Sequence, residues 1–371
     1  MTTVASDTTF AVVFTLFVVV TVVLIVLVIR FTLQRAAASR ATWLSGQEAG
    51  GASGLDPGPV TALVLAGGGV RGAVQIGMLQ VLAEHGFVPD RIYGSSVGAV
   101  NGVAFAGDPT RSGVERMTRI WQRLTRESVY PQGRLHGPWL YLQHRDSVYP
   151  NSGLRTIIEQ GIDFERLEDA VVPVEVVATS LADGQEHWFT EGPAVDAVLA
   201  SAAIPAIFPP VEIDGDRFID GGVVNNVPLN RAIDAGATRI VVLLCTPAEV
   251  KPTSPRRPVE AMLNALFISI HARFVREMAH LPAGVQVIVC NGAEGGTRDF
   301  DDFSTTDTLI AQGRETATEM VHRYRLGRSV MPSTAGVGSV GGGPATGSSP
   351  GGPPVPDAAP RSSLLHPEPG M

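Results

Sequence analysis

Hydrophobic positions along the chain fall into three regimes. From Phe10 to Ile29 twenty residues run without a charge, broken only by Thr15 and Thr21. As a helix rising about 1.5 Å per residue, this run spans roughly 30 Å, the hydrocarbon thickness of a bilayer. Further on, short apolar runs alternate with helical periodicity. Thr61 to Leu65, Arg91 to Tyr93, Val174 to Ala178, Arg239 to Cys245 and Val285 to Cys290 predict strands. Val70 to His85, Val97 to Ala106, Ala194 to Ala202, Val259 to Ala279 and Thr305 to Arg325 predict helices, the last opened by a capping-box pattern, Ser304-Thr305-Thr306-Asp307. This alternation predicts an α/β domain with a largely parallel sheet flanked by helices. From Ser329 to Met371 Gly, Pro, Ser and Ala dominate, the composition of a disordered tail.

The flanks of the long apolar run decide how it is read. A cleaved signal peptide has basic residues before a shorter core, whereas Asp7 precedes this run and Arg30 closes it. An uncleaved transmembrane helix is expected. Arg30, Arg35 and Arg40 follow it, so the positive-inside rule puts the rest of the chain in the cytoplasm, held at the cell membrane. Ser45 to Pro59, rich in Gly, Ser and Pro, reads as a flexible tether. The expected plan is a short outer segment over 1–9, the span over 10–29, a basic juxtamembrane segment and linker over 30–60, a catalytic body over 61–328 and a tail over 329–371.

Composition narrows the chemistry. The chain has 371 residues, 44% of them hydrophobic, enough for a substantial core, and a net charge of −8 leaves no broad basic surface for nucleic acid. Cys245 and Cys290 lie in apolar runs and read as core thiols. No metal-ligand spacing and no calcium loop occur, so neither metal nor cofactor is expected. The segment Ser128 to Pro150 carries Tyr130, Trp139, Leu140, Tyr141 and Tyr149 among prolines and glycines, and two readings stand: a lid over an acyl entrance, or aromatic packing of a core.

Three short blocks carry chemistry. Gly94-Ser95-Ser96-Val97-Gly98 follows an apolar pair and opens a helix of small residues, the setting of a nucleophile elbow in which Gly94 and Gly98 flank Ser96 where side chains would clash. Alone, the block better describes a serine capping a helix. Gly67-Gly68-Gly69-Val70-Arg71-Gly72 is a strand-to-helix loop whose bare N–H groups suit an oxyanion or a phosphate. Its glycines also satisfy a dinucleotide fingerprint, but Asp90, at the expected spacing, falls at the start of the second strand and not at its carboxyl end. Asp220-Gly221-Gly222, in isolation, is an ordinary turn.

Together, in this order, these blocks resemble the signatures of the patatin-like phospholipase family. Ala200-Ser201-Ala202-Ala203-Ile204-Pro205, with Phe208-Pro209-Pro210, resembles the stretch before that family's catalytic aspartate. The resemblance implies a three-layer patatin-like fold and a Ser-Asp dyad on Ser96 and Asp220 without a catalytic histidine. It also implies an oxyanion site formed by the loop of Gly67, Gly68 and Gly69 together with Val97. Gly72, Gly94, Gly98, Gly221 and Gly222 are supporting positions. Arg71 either orients the loop, attracts anionic head groups or is an ordinary surface residue. Asn225 and Asn226 either brace the acid turn or merely form it. Of the histidines after Asp220, none of His271, His280, His322 and His366 lies in a recognisable catalytic loop. The expected activity is hydrolysis of lipid carboxylic esters at a membrane; a catalytically silent, acyl-binding scaffold and a nucleotide-binding protein are the competing readings.

Overall fold

The computed structural model of the protein describes residues 60–131, 147–248, 258–293 and 301–326. The apolar run over 10–29, the linker, the tail and the aromatic residues Trp139, Leu140 and Tyr141 lie outside the described residues. Among the described residues no helix is long and apolar enough to cross a membrane.

Five parallel strands form the middle of one sheet: β1 (Thr61–Leu65), β2 (Arg91–Ser95), β3 (Val174–Ser180), β7 (Arg239–Leu243) and β8 (Gln286–Cys290), in the spatial order β3-β2-β1-β7-β8. Their side chains alternate between faces, as strand geometry requires. Leu63, Leu65, Val241 and Leu243 enter one core, while Ala62, Val64, Ile240 and Val242 enter the other. Burial on both faces is why these strands read as continuous apolar runs.

Three antiparallel strands, not anticipated from the pattern, extend the sheet beyond β3. They are β4 (Glu186–Phe189), β5 (Val211–Ile213) and β6 (Asp216–Asp220). Between β5 and β6 the chain reverses at Asp214 (φ 53°) and Gly215 (φ 86°), the positive-φ pair of a tight hairpin. The Asp-Gly turn is therefore here. At Asp220-Gly221 the glycine is right-handed (φ −63°), so this pair is not a second turn of that kind.

Helix α1 (Ala73–Glu84) is buried nearly all round, because it lies between the sheet and α10 (Thr306–Tyr324). A Cβ on Gly77 would press into the Ile310 carbonyl, so the two helices approach more closely than side chains allow. On the same side pack α2 (Val97–Gly107), α3 (Arg111–Arg123) and α5 (Ser152–Gly161); α4 (Arg126–Val129) is a single turn. Helix α6 (Ala194–Ser201) leads toward β5, and α7 (Gly222–Asn225) follows β6 directly. On the opposite face lie α8 (Leu229–Asp234) and α9 (Pro258–Met278), where Leu229, Ala232 and Phe274 are buried.

The capping box expected at α10 is not made: Thr305 is the N-cap, and its side chain caps nothing. A reciprocal box forms instead at α4, where Thr125 Oγ1 accepts from Ser128 N and Ser128 Oγ accepts from Thr125 N. Both cysteines are buried free thiols, with Cys245 just beyond the end of β7.

Candidate active site

Ser96 occupies the junction between β2 and α2 with φ 54° and ψ −127°, a conformation that costs a non-glycine residue on the order of 1–3 kcal/mol. The junction is tight. A Cβ at Gly98 would meet the carbonyl of Leu65, and one at Gly94 would meet the backbone of Ala99, which explains the glycines on either side of the serine. Although Ser96 is the N-cap residue, its side chain makes no capping bond. The hydroxyl donates to Asp220 Oδ2 at 2.7 Å, across 124 positions of sequence.

Sheet register explains that meeting. Ser95 pairs with Val177, and Asp220 pairs with Ala178, the next residue of β3. As β2 ends and turns into its helix, β6 delivers the aspartate beside it. Three further bonds hold the acid. Gly222 N donates to its Oδ1 at 2.7 Å, Thr179 Oγ1 donates to its carbonyl at 2.8 Å, and its own N–H donates to Ala203 O at 2.9 Å. Burial pushes the Asp220 carboxyl up from 3.8 to about 6, against the opposing pull of the Ser96 and Gly222 bonds. A carboxylate in this range can accept a proton near neutral pH and return it.

Ser201, the last residue of α6, lies in the block before Asp220, where nothing local in the sequence marks a role for it. Its buried hydroxyl accepts from Ser96 N at 2.9 Å, and its carbonyl accepts from Gly221 N at 3.1 Å. One residue therefore ties the elbow to the acid turn. It also spends the Ser96 N–H, which leaves the other backbone donors for an oxyanion.

Those donors come from two helix starts, where the first N–H groups have no intrahelical acceptor. Gly69 (φ 57°) opens the 3-10 turn Gly69–Gly72, and Val97 opens α2. The N–H of Gly67, expected among the donors, is instead given to Asn226 O at 3.1 Å, and Asn226 Nδ2 returns a bond to Gly67 O at 3.3 Å. Gly67 is thus a clamped hinge of the loop, with Gly68, Gly69 and Val97 left as donor candidates. Asn226 braces the glycine loop, whereas Asn225 donates to Glu186 at 3.1 Å. Gly72 must be small because a Cβ would meet Val97, and one on Gly222 would meet Asn226 and Asp220. Arg71 is half-buried in the 3-10 turn, and its burial lowers the guanidinium pKa.

A second feature, silent in the sequence, lies beneath the loop. Gln75 Nε2 donates to Ala66 O (2.8 Å) and Leu243 O (3.0 Å), and Asn101 Nδ2 to Gln75 Oε1 (2.9 Å) and Gly72 O (3.1 Å). Trp121 Nε1 completes the chain at Asn101 Oδ1, 3.0 Å away. Satisfied buried amides of this kind hold strand ends and loop in one arrangement. Asp90 lies at the amino ends of β1 and β2, accepting from Thr61 N at 2.7 Å, so the acid at dinucleotide spacing is not where a ribose would lie. No described histidine bonds to Ser96 or Asp220.

From Ser96 an apolar cleft of roughly 820 Å³, open solvent at its mouth included, runs between α2, α3 and α5. Each helix contributes a stripe at i, i+3, i+4 and i+7. On α2 the stripe is Val97, Val100, Asn101 and Ala104; on α5 it is Leu154, Ile157, Ile158 and Gly161. Helix α3, with its neighbouring turn, adds Met117, Ile120, Trp121 and Leu124. Near the cleft, Tyr130 stacks on Phe208 at 5.5 Å and tilts against Tyr149 at 5.3 Å. Tyr130 both packs this cluster and lines the cleft.

The glycine loop after β1, the elbow serine after β2 and the buried aspartate at the end of β6 thus meet at one site of the α/β fold. Residues 63–233, somewhat less than half of the chain, match the family model described as patatin-like phospholipase. An uncharacterized NTE family protein of Mycobacterium tuberculosis strain H37Rv is 32% identical over 222 residues, 58% of this chain and 58% of the relative. The patatin-like phospholipase domain-containing protein 7 of Rattus norvegicus is 30% identical over 188 residues, 50% of this chain and 14% of the relative. The chain thus spans little more than half of the first of these relatives and a small part of the second. Among solved structures, VipD from Legionella pneumophila is similar at a TM-score of 0.42 and 14% identity, over 72% of this chain and 67% of that one.

Proposed function

We propose that the protein is a membrane-anchored serine acyl hydrolase that cleaves carboxylic esters of lipids through Ser96 and Asp220. The observation that carries this is the 2.7 Å bond from Ser96 Oγ to a buried carboxylate at the head of an apolar cleft. Asp220 takes the hydroxyl proton as Ser96 Oγ attacks the ester carbonyl, and the oxyanion forms against the N–H groups of Gly68, Gly69 and Val97. Collapse breaks the bond to the leaving alkoxide, which takes the proton from Asp220. Water, deprotonated by the same carboxylate, then attacks the acyl-enzyme and releases a fatty acid and free Ser96. The cleft takes the acyl chain, and burying its methylenes contributes about 0.8 kcal/mol each.

Phospholipids are the favoured substrate class, because the uncharged run over 10–29 followed by Arg30, Arg35 and Arg40 would hold the site at the cytoplasmic side of the cell membrane. Purified protein should hydrolyse medium-chain p-nitrophenyl esters and react with a fluorophosphonate probe. Ser96→Ala and Asp220→Asn should each reduce turnover by a factor on the order of 10³ or more while leaving the circular dichroism spectrum intact. Turnover retained in Ser96→Ala would exclude the dyad.

A further inference from the structure

The far end of the cleft is built from small residues facing a branched one. Gly161 closes α5, and a Cβ placed there would lie 4.0 Å from both Ala104 Cβ on α2 and Ile120 Cδ1 on α3. All three residues line the cleft. Elsewhere the stripes on α2 and α5 carry Val, Asn, Leu and Ile; only at this point do they narrow to Ala and Gly. Behind it, Phe164 packs where a Cβ of Gly107 would fall, closing the space beyond the last turn of α2. Ala104 lies eight residues along α2 from Ser96, so this constriction stands roughly 12 Å from the serine along the helix axis.

We infer that Gly161, with Ala104 and Ile120, sets the length of acyl chain that the cleft accepts. The inference rests on the hydrolase reading, in which the chain enters from Ser96. An extended octanoyl chain ends near the depth of this constriction; a butyryl chain stops well short, and a dodecanoyl chain overruns it. The absent side chain at Gly161 leaves room for the chain's terminal methyl, and the Ile120 side chain forms the stop. A pocket discriminates by about 10- to 200-fold per methylene it refuses, so a change of one side chain here is readable in kinetics.

The test measures kcat/KM for p-nitrophenyl butyrate, octanoate and dodecanoate with the full chain in detergent. Gly161→Leu fills the space and should lower the octanoate-to-butyrate ratio about tenfold or more. Ile120→Ala removes the stop and should raise the dodecanoate-to-octanoate ratio by about the same factor. Gly161→Ala, whose added methyl only reaches van der Waals contact, guards against misfolding: its ratio should fall between wild type and Gly161→Leu. Ratios unchanged in Gly161→Leu and Ile120→Ala while all three esters are still cleaved would overturn the ruler and leave the hydrolase standing. Absence of turnover on every ester by the wild type would instead overturn the hydrolase reading.

Discussion

In the proposed dyad Asp220 serves as the base because of where it is buried. Its carboxyl titrates near 6 in the folded protein against 3.8 in an open chain. Activity needs the carboxylate, so kcat/KM should rise with pH through an apparent pKa near 6. A profile flat from pH 5 to 8 would contradict this. The same shift costs stability. Well below pH 3.8 both states are protonated and nothing is lost; between 3.8 and 6 the unfolded chain ionises first, and above 6 the penalty levels off at about 3 kcal/mol. Asp220→Asn should therefore raise Tm at pH 8 by more than at pH 4, as calorimetry at the two values would show. Ser201 acts at the same scale without touching substrate. Ser201→Ala leaves the Ser96 N–H buried without its acceptor, a loss of about 1–3 kcal/mol. Turnover and fluorophosphonate labelling should both slow about tenfold or more while KM holds.

At the scale of elements, the close contact of α1 with α10 decides how firmly the glycine loop is backed, since α1 begins where that loop ends. In an exposed helix Gly→Ala stabilises by roughly 0.5–1 kcal/mol. At Gly77 the new methyl would press into the Ile310 carbonyl, so Gly77→Ala should instead destabilise by about 1–3 kcal/mol, seen as a lower urea midpoint. The α3 stripe shows why local pattern was insufficient here. Val114, Met117 and Trp121 bury one face, but Arg111, Glu115, Arg116, Arg119 and Arg123 between them make the segment read as polar. Only the cleft reveals that this face lines a site.

At the scale of the whole molecule, the proposed hydrolase couples an ester-cleaving site to a membrane address. Removing residues 1–30 should shift the protein from the membrane pellet to the supernatant after carbonate extraction. Turnover of p-nitrophenyl esters should persist, and turnover of phospholipid vesicles should fall about tenfold or more, since anchoring acts by raising the local concentration of substrate. A truncated chain that still pellets would show that the run over 10–29 is not the anchor.

The parallel strands, helices α1, α2, α6, α9 and α10 and the elbow were legible in the sequence because each depends on neighbours a few residues away. Leu63, Val64 and Leu65 are apolar on both faces of their strand, and Gly94 and Gly98 bracket a turn that admits no side chain. The strands β4, β5 and β6 were not legible, being short and half-exposed and made by pairing with β3 or with each other. Resemblance alone named Asp220 as the partner of Ser96. The physical reason is tertiary: consecutive residues of β3, Val177 and Ala178, bring Ser95 and Asp220 side by side. Ser201, the spent N–H of Gly67 and the cleft between three helices likewise exist only once segments far apart in the chain are packed. The sequence alone determined which residue carries the hydroxyl; packing decided what that hydroxyl is bonded to and what space lies in front of it.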